Sequence, residues 1–177
     1  RVRRQRQMCI RDSGTYTVTS SFSAGWATSP RSGIGKSYSF TFQFKVDSTA
    51  PTMNNVSTSS TGKYTNSSTY VSASDSMSGV ECIYMKTPGS SSYANMGTST
   101  TVSSTGTNGL YYFYAKDKAG NTSRTYYLYL DTVKPTGIIK GMQGTTYSGN
   151  YINQTFSYTA SDSGSGISYL QYKTPGS

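Results

Sequence analysis

The chain has 177 residues, of which only 33% are hydrophobic while 17 are tyrosine, so it has room for one domain or two small ones with a core drawn heavily from tyrosine. Histidine is absent, which excludes a Ser–His or Cys–His nucleophile pair and a histidine zinc site within these residues. No run approaches the ~20 apolar residues of a membrane helix, and the formal charge of +9 makes nucleic acid the partner class to test first.

That charge is concentrated at the start. Residues 1–13 read RVRRQRQMCIRDS, a basic cluster unlike anything after it. The codons required for Arg3 to Asp12 resemble a transposon-type sequencing adapter read in frame, so this arm is set aside from the fold as a segment of foreign origin. Its removal takes away five arginines, one aspartate and Cys9, lowers the net charge from +9 to +5 and leaves Cys82 as the remaining cysteine. The residual charge is scattered, so no nucleic-acid partner is expected. Cys82 is then expected as a small buried hydrophobe.

Further along, PRSGIGKS (Pro30 to Ser37) comes close to a phosphate-binding loop. Pro30 stands where the first glycine belongs, and a strand follows where a helix is required, so nucleotide binding is not expected. That strand is marked by Phe40, Phe42, Phe44 and Val46 alternating with polar residues, a period of two with one buried and one wet face. Two more strands are predicted at Tyr70 to Ala73 and Glu81 to Lys86, linked by a turn over Asp75 to Gly79. The next pair is Leu110 to Lys116 and Thr125 to Leu130, joined by a turn over Asp117 to Asn121 in which Gly120 and Asn121 suit positive φ. Short strands with turn signals at this spacing predict an all-β, antiparallel sandwich.

The chain also repeats itself. SASDSMSGVECIYMKTPGS (Ser72 to Ser90) matches TASDSGSGISYLQYKTPGS (Thr159 to Ser177) at an offset of 87, and FKVDSTAPT (Phe44 to Thr52) matches LYLDTVKPT (Leu128 to Thr136) at an offset of 84. Repetition at this period predicts one folded module per repeat. The expected division is 14–47 as the closing part of one module, 48–132 as a complete module and 133–177 as the opening part of a third, cut short.

Three motifs in this order, ASDSMSGV, GLYYFYAKDKAGN and LDTVKP, resemble a family of bacterial immunoglobulin-like repeats found in large surface proteins, adhesins and multidomain secreted hydrolases. The likeness covers Ser48 to Ser177 well and residues 14–47 weakly, where an insertion containing Trp26 intervenes. It implies tandem immunoglobulin-like antiparallel β-sandwich modules in an extracellular or cell-surface protein. Such modules serve mostly as spacers, so the function expected is a structural or adhesive stalk without enzyme activity. A carbohydrate-binding accessory module of a secreted glycan-degrading enzyme is the alternative.

In a sandwich of that kind the linker and two of the turns share one end. This would gather Asp47, Asp75 and Asp117 at one junction, and Asp131 with Asp162 at the next. Oxygen ligands so placed could hold calcium, while each aspartate could equally cap its own turn. Tyr111, Tyr127 and Tyr129 are the candidates for a platform that stacks on sugar rings. The partners expected are neighbouring modules of the same chain, and a glycan or protein of the host or environment.

Overall fold

The computed structural model describes residues 12–24, 36–140 and 157–173. The basic arm up to residue 11, Trp26 and most of the near phosphate-binding loop lie outside them. Among the described residues every regular element is a strand, and no helix is long and apolar enough to cross a membrane. The sparse Ala, Leu and Glu and the abundant Tyr, Thr and Ser favour this outcome, because β-branched and aromatic side chains pack well on a pleated surface.

The chain opens with an antiparallel hairpin of β1 (Gly14–Ala24) and β2 (Lys36–Val46), so the strand expected around Phe40 to Val46 begins earlier, at Lys36. Eight strands follow: β3 (Thr52–Asn54), β4 (Lys63–Thr65), β5 (Thr69–Ser74), β6 (Val80–Lys86), β7 (Ala94–Asn95), β8 (Ser99–Val102), β9 (Gly109–Asp117) and β10 (Tyr126–Leu130). They form a three-stranded sheet in the order β3-β5-β8 and a five-stranded sheet in the order β4-β10-β9-β6-β7. A last antiparallel pair, β11 (Thr136–Lys140) and β12 (Ser157–Ser161), closes the described chain.

The antiparallel expectation holds for every pair but one, since β4 runs parallel to β10. After β3 leaves the smaller sheet, the chain crosses to the edge of the larger one. Ser57 exchanges two backbone hydrogen bonds with Tyr127 there, at 2.8 and 2.9 Å. This crossover covers an edge that would otherwise expose unpaired backbone groups.

The core lies between the two sheets. Met53, Val71 and Val102 come from the smaller sheet, while Ile83, Phe113, Ala115 and Leu128 come from the larger one together with Tyr111, Tyr126 and Leu130. Strict alternation of buried and half-buried positions along β9 and β10 accounts for the larger share. Each large side chain removed from water here contributes roughly 1.5–3 kcal/mol. Cys82 is buried as expected but stands across from Lys116, beside a register shift in β6, and does not belong to the core cluster.

One detail recurs. The Tyr111 hydroxyl donates to the Thr107 carbonyl at 2.9 Å, and the Tyr16 hydroxyl donates to the Asp12 carbonyl at 2.7 Å, four residues upstream in both cases. The two hairpins also share a register, with Tyr16 opposite Phe44 and Tyr111 opposite Leu128. Residues 14–47, the part with the weakest sequence likeness, therefore contain the same hairpin as the central unit.

Tyr111→Phe keeps the buried ring and removes the bond to Thr107. The expected loss is about 1 kcal/mol of unfolding free energy, read as a lower urea midpoint at unchanged slope.

Candidate functional site

Three loops meet at one end of the central unit, and each contributes an aspartate. The Asp75 turn is held by its own side chain, whose Oδ1 accepts from the amides of Met77 at 3.0 Å and Gly79 at 2.9 Å. Gly79 has φ of 78°, a conformation that L side chains rarely adopt. Asp47, at the end of β2, accepts from the Thr49 amide through Oδ1 at 3.0 Å and from the Ser78 amide through Oδ2 at 2.9 Å. The linker is thereby fastened to the turn after β5.

Asp117 ends β9 and is fully buried. Its two oxygens accept from the amide and from the side-chain Nδ2 of Asn121, both at 2.8 Å. The same Nδ2 reaches the linker carbonyls of Asp47 at 3.0 Å and Thr49 at 3.3 Å. Among residues 120 and 121 only Gly120 takes the positive φ that the turn needs. Asn121, expected as a second such residue, is instead the bridge between hairpin and linker. Its place in the turn motif was legible in the sequence, but its reach over 74 residues to Asp47 was not.

Carboxylate oxygens of Asp47, Asp75 and Asp117 lie within 4.8 Å of one another. The expected gathering of these three is therefore present. The Ser78 hydroxyl beside Asp47, then the amides of Thr49 and Ser78, hold the Asp47 carboxyl below the ordinary carboxylate range. That hydroxyl is near without hydrogen-bond geometry, so the amides supply the directed bonds.

The next junction repeats the bonds of the linker aspartate and the turn aspartate, with no counterpart of the Asp117–Asn121 pair among the described residues. Asp131 accepts from the Val133 amide through Oδ1 at 3.1 Å and from the Ser165 amide through Oδ2 at 2.6 Å. Asp162 Oδ1 accepts from Gly164 and Gly166, both at 2.9 Å. Asp131 too is held below the ordinary range, first by Ser165 and then by the Val133 amide. A further pair matches: the Ser48 amide donates to Ser13 Oγ at 2.8 Å, and the Thr132 amide donates to Asn108 Oδ1 at 3.0 Å. Ser13, at the edge of the basic arm, thus stands where the central unit has Asn108.

The Asp75 Oδ2 atom is buried and accepts no hydrogen bond. Together with the adjacent oxygens of Asp47 and Asp117 it suits a hard, oxygen-seeking cation of the Ca²⁺ type, which takes six to eight oxygens. The three carboxylates would supply part of that shell, with water and backbone carbonyls for the rest. Such an ion would offset the repulsion among the three charges and tie the linker to both turns.

The candidate aromatic platform divides. Tyr111 faces the core and is buried, so it is not available to a sugar. Period-two alternation makes its neighbours Tyr112 and Tyr114 the outward residues, on the same sheet face as Tyr127 and Tyr129. On that outer face the rings pack mainly on one another. Tyr84 and Tyr114 stack with centroids 4.7 Å apart, Tyr93 meets Tyr114 edge-on at 4.9 Å, and Tyr112 meets Tyr127 at 5.6 Å. Lys86 Nζ sits 4.1 Å from the centroid of Tyr112 and covers that ring. Tyr129 packs against Tyr64 at 5.2 Å.

Comparison with protein-family models, curated proteins and solved structures finds no match for this chain.

Two outcomes test the junction. Asp47 and Asp131 titrate lower in the folded chain than their ordinary value of 3.8, so their stabilisation is fully present above that pH and is lost as pH falls through the lowered folded values. Thermal melting of Asp47→Asn should accordingly show a weaker dependence on pH below about 4 than the unaltered chain. Calcium at about 1 mM, in the range of extracellular modules, is expected to raise the melting midpoint. Asp75→Asn should abolish that rise. An unmoved midpoint in the unaltered chain would leave the amide donors as the sole compensation of the three carboxylates.

Proposed function

We propose that this chain is part of a structural or adhesive immunoglobulin-like repeat array, carried on a bacterial surface or secreted, which acts as a stalk and holds other domains at a distance. The observation that carries the reading is the duplicated linker clamp, Asp47 on Ser78 and Asp131 on Ser165, with the same donors and acceptors at the same repeat positions. A spacer works by resisting bending at its joints. In this chain the linker residue is bonded to the module it enters, and Pro51 and Pro135 restrict the backbone that follows.

The immunoglobulin-like assignment draws on two features. The division into β3-β5-β8 and β4-β10-β9-β6-β7 has the strand order of such sandwiches, with the first strand split between the sheets. Tyr111, near the start of the penultimate strand and bonded to a carbonyl four residues upstream, matches their tyrosine corner. The reading is non-catalytic and extracellular, with neighbouring modules as the constant partners.

A carbohydrate-binding accessory module is the second reading, favoured by the outer tyrosine face. Its rings are largely engaged with one another and with Lys86, which fits a cross-strand ladder that stiffens the sheet better than an open sugar platform.

Two measurements separate the readings. Spin labels at Thr19 and Thr101 should give a narrow distance distribution that broadens in Asp47→Ala, because the linker loses its bond to Ser78. A distribution equally broad in both proteins would remove the basis for a stiff joint. The chain is expected to pass through insoluble polysaccharides unretained. Retention that Tyr127→Ala and Tyr129→Ala abolish would transfer the assignment to sugar binding.

A further inference from the structure

The pair Asn108–Gly109 stands where the central unit meets the linker that follows β10, and the fold fixes both residues. Asn108 clasps the linker, because its Oδ1 accepts from the Thr132 amide and from the Thr132 hydroxyl, both at 3.0 Å. Gly109 has φ of 132°, and a Cβ there would meet the Pro88 side chain at 3.0 Å, so other residues fit only with strain. Asn108 is the one asparagine of the sequence that glycine follows. At the equivalent place before β1 the chain has Ser13 and then Gly14, and Ser13 Oγ takes the Ser48 amide at 2.8 Å. A hydroxyl there fills the role that Asn108 fills with a side-chain amide.

That amide is placed to react. A glycine has no Cβ to shield its backbone nitrogen, which can reach the Cγ of the asparagine before it. Attack requires a polarised Cγ–Oδ1 bond, an unencumbered leaving group and an accessible nitrogen. The two Thr132 donors on Oδ1 supply the first, in the manner of an oxyanion hole. Asn108 is exposed, and its Nδ2 has no acceptor among the described residues. In Asn54, Asn55 and Asn121, by contrast, that nitrogen donates to Ser72, to Tyr70 and to the linker. Gly109 opposes Leu130 in the last pair of the β9–β10 ladder, so fraying of that end is enough to release its nitrogen.

We infer that Asn108 is a site of spontaneous deamidation, in which Gly109 supplies the nucleophile and Thr132 activates the carbonyl, and that the reaction ages this joint. The Gly109 nitrogen bonds to Asn108 Cγ, the Cγ–Nδ2 bond breaks, and the Gly109 amide proton departs with Nδ2 as ammonia. A succinimide ring results. Water then opens the ring at either carbonyl and leaves aspartate or isoaspartate at position 108. Aspartate keeps an oxygen for Thr132 and adds a negative charge beside the linker. Isoaspartate lengthens the backbone by one carbon between Thr107 and Tyr111, the two residues joined by the hydroxyl-to-carbonyl bond at the start of β9. It therefore loosens the clasp and the strand together.

Ageing of the whole chain at mildly alkaline pH tests this, whatever the array as a whole does. Peptide mass mapping follows amide-to-acid conversion at each asparagine. Methyl transfer from S-adenosylmethionine by an isoaspartyl methyltransferase counts the isoaspartate. Conversion at Asn108 is expected to outrun that at the exposed Asn66 and Asn95 by about tenfold or more. Thr132→Val keeps the amide donor and removes the hydroxyl, and should slow the reaction in the folded chain roughly fivefold, less than in a closed enzyme site because this one is open to water. In urea, where the clasp is gone, both chains should convert at one rate. Asn108→Ser, copied from the clasp at Ser13, should fold and form no isoaspartate at this position. The inference is overturned if Asn108 converts no faster than the other exposed asparagines, or if folded Thr132→Val converts as fast as the unaltered chain. An isoaspartate fraction that unfolds at the urea midpoint of fresh chain overturns it as well.

Discussion

Alternation along β9 and β10 places Tyr111, Phe113, Ala115, Tyr126, Leu128 and Leu130 on one side of the larger sheet, and the rest of the structure is arranged around the need to cover them. A sheet with one apolar face is unstable until another layer lies on it. Met53, Val71 and Val102 supply that layer in the central unit. The bond from the Tyr111 hydroxyl to Thr107 then fixes the start of β9, so the ring enters the core with its polar end satisfied. Among the described residues no sheet lies opposite β1 and β2, and Phe42 and Phe44 are exposed there.

The junction follows from the same geometry. A sandwich brings the turn after β5 and the turn after β9 to one end, and the linker enters there. Charged carboxylates crowded together are tolerable only if donors or cations surround them. Backbone amides of Thr49, Met77, Ser78, Gly79 and Asn121 fill most of this role, and the Asn121 side chain adds two links to the linker backbone. The one oxygen left over, Asp75 Oδ2, is what separates a purely hydrogen-bonded joint from one able to accept an ion.

The two junctions also differ at one position of the turn. The residue in the middle of the turn after β5 is Met77 in one and Gly164 in the other, and the amide of each donates to the turn aspartate in the same way. The bond is made by the backbone, but the space beside it differs, because a Cβ at Gly164 would collide with the Asp131 carboxylate and the second junction closes around a glycine. By contrast Asp47, Asp131, Asp75 and Asp162 act through side-chain oxygens, and both junctions use them identically. Among the tyrosines, the sheet's outer face is a set of mutual ring contacts closed at one end by the Lys116–Glu81 pair at 2.8 Å.

Local information in the sequence was enough for β5, β6, β9 and β10 and the turns after β5 and β9, because period-two patterning and glycine-bearing turns are properties of neighbouring residues, but not for the short β3, β4, β7 and β8. It was also enough to gather the aspartates, since the repeat marks which positions recur and a sandwich brings its turns to one end. It did not decide which tyrosine face is buried. Tyr111, Tyr112, Phe113 and Tyr114 are all aromatic, so composition carries no parity there, and only the pairing of Tyr111 with Leu128 across the sheet turns Tyr111 inward. Nor did it disclose the parallel pairing of β4 with β10, or the reach of Asn121 to the linker. Those contacts join residues more than 60 positions apart, and their partners exist only once the two sheets have closed on each other. The sequence by itself determined the longer strands of the central unit, the repeated motifs and the residues able to form a junction. The tertiary structure decided which faces those residues present, because burial is a property of what lies opposite.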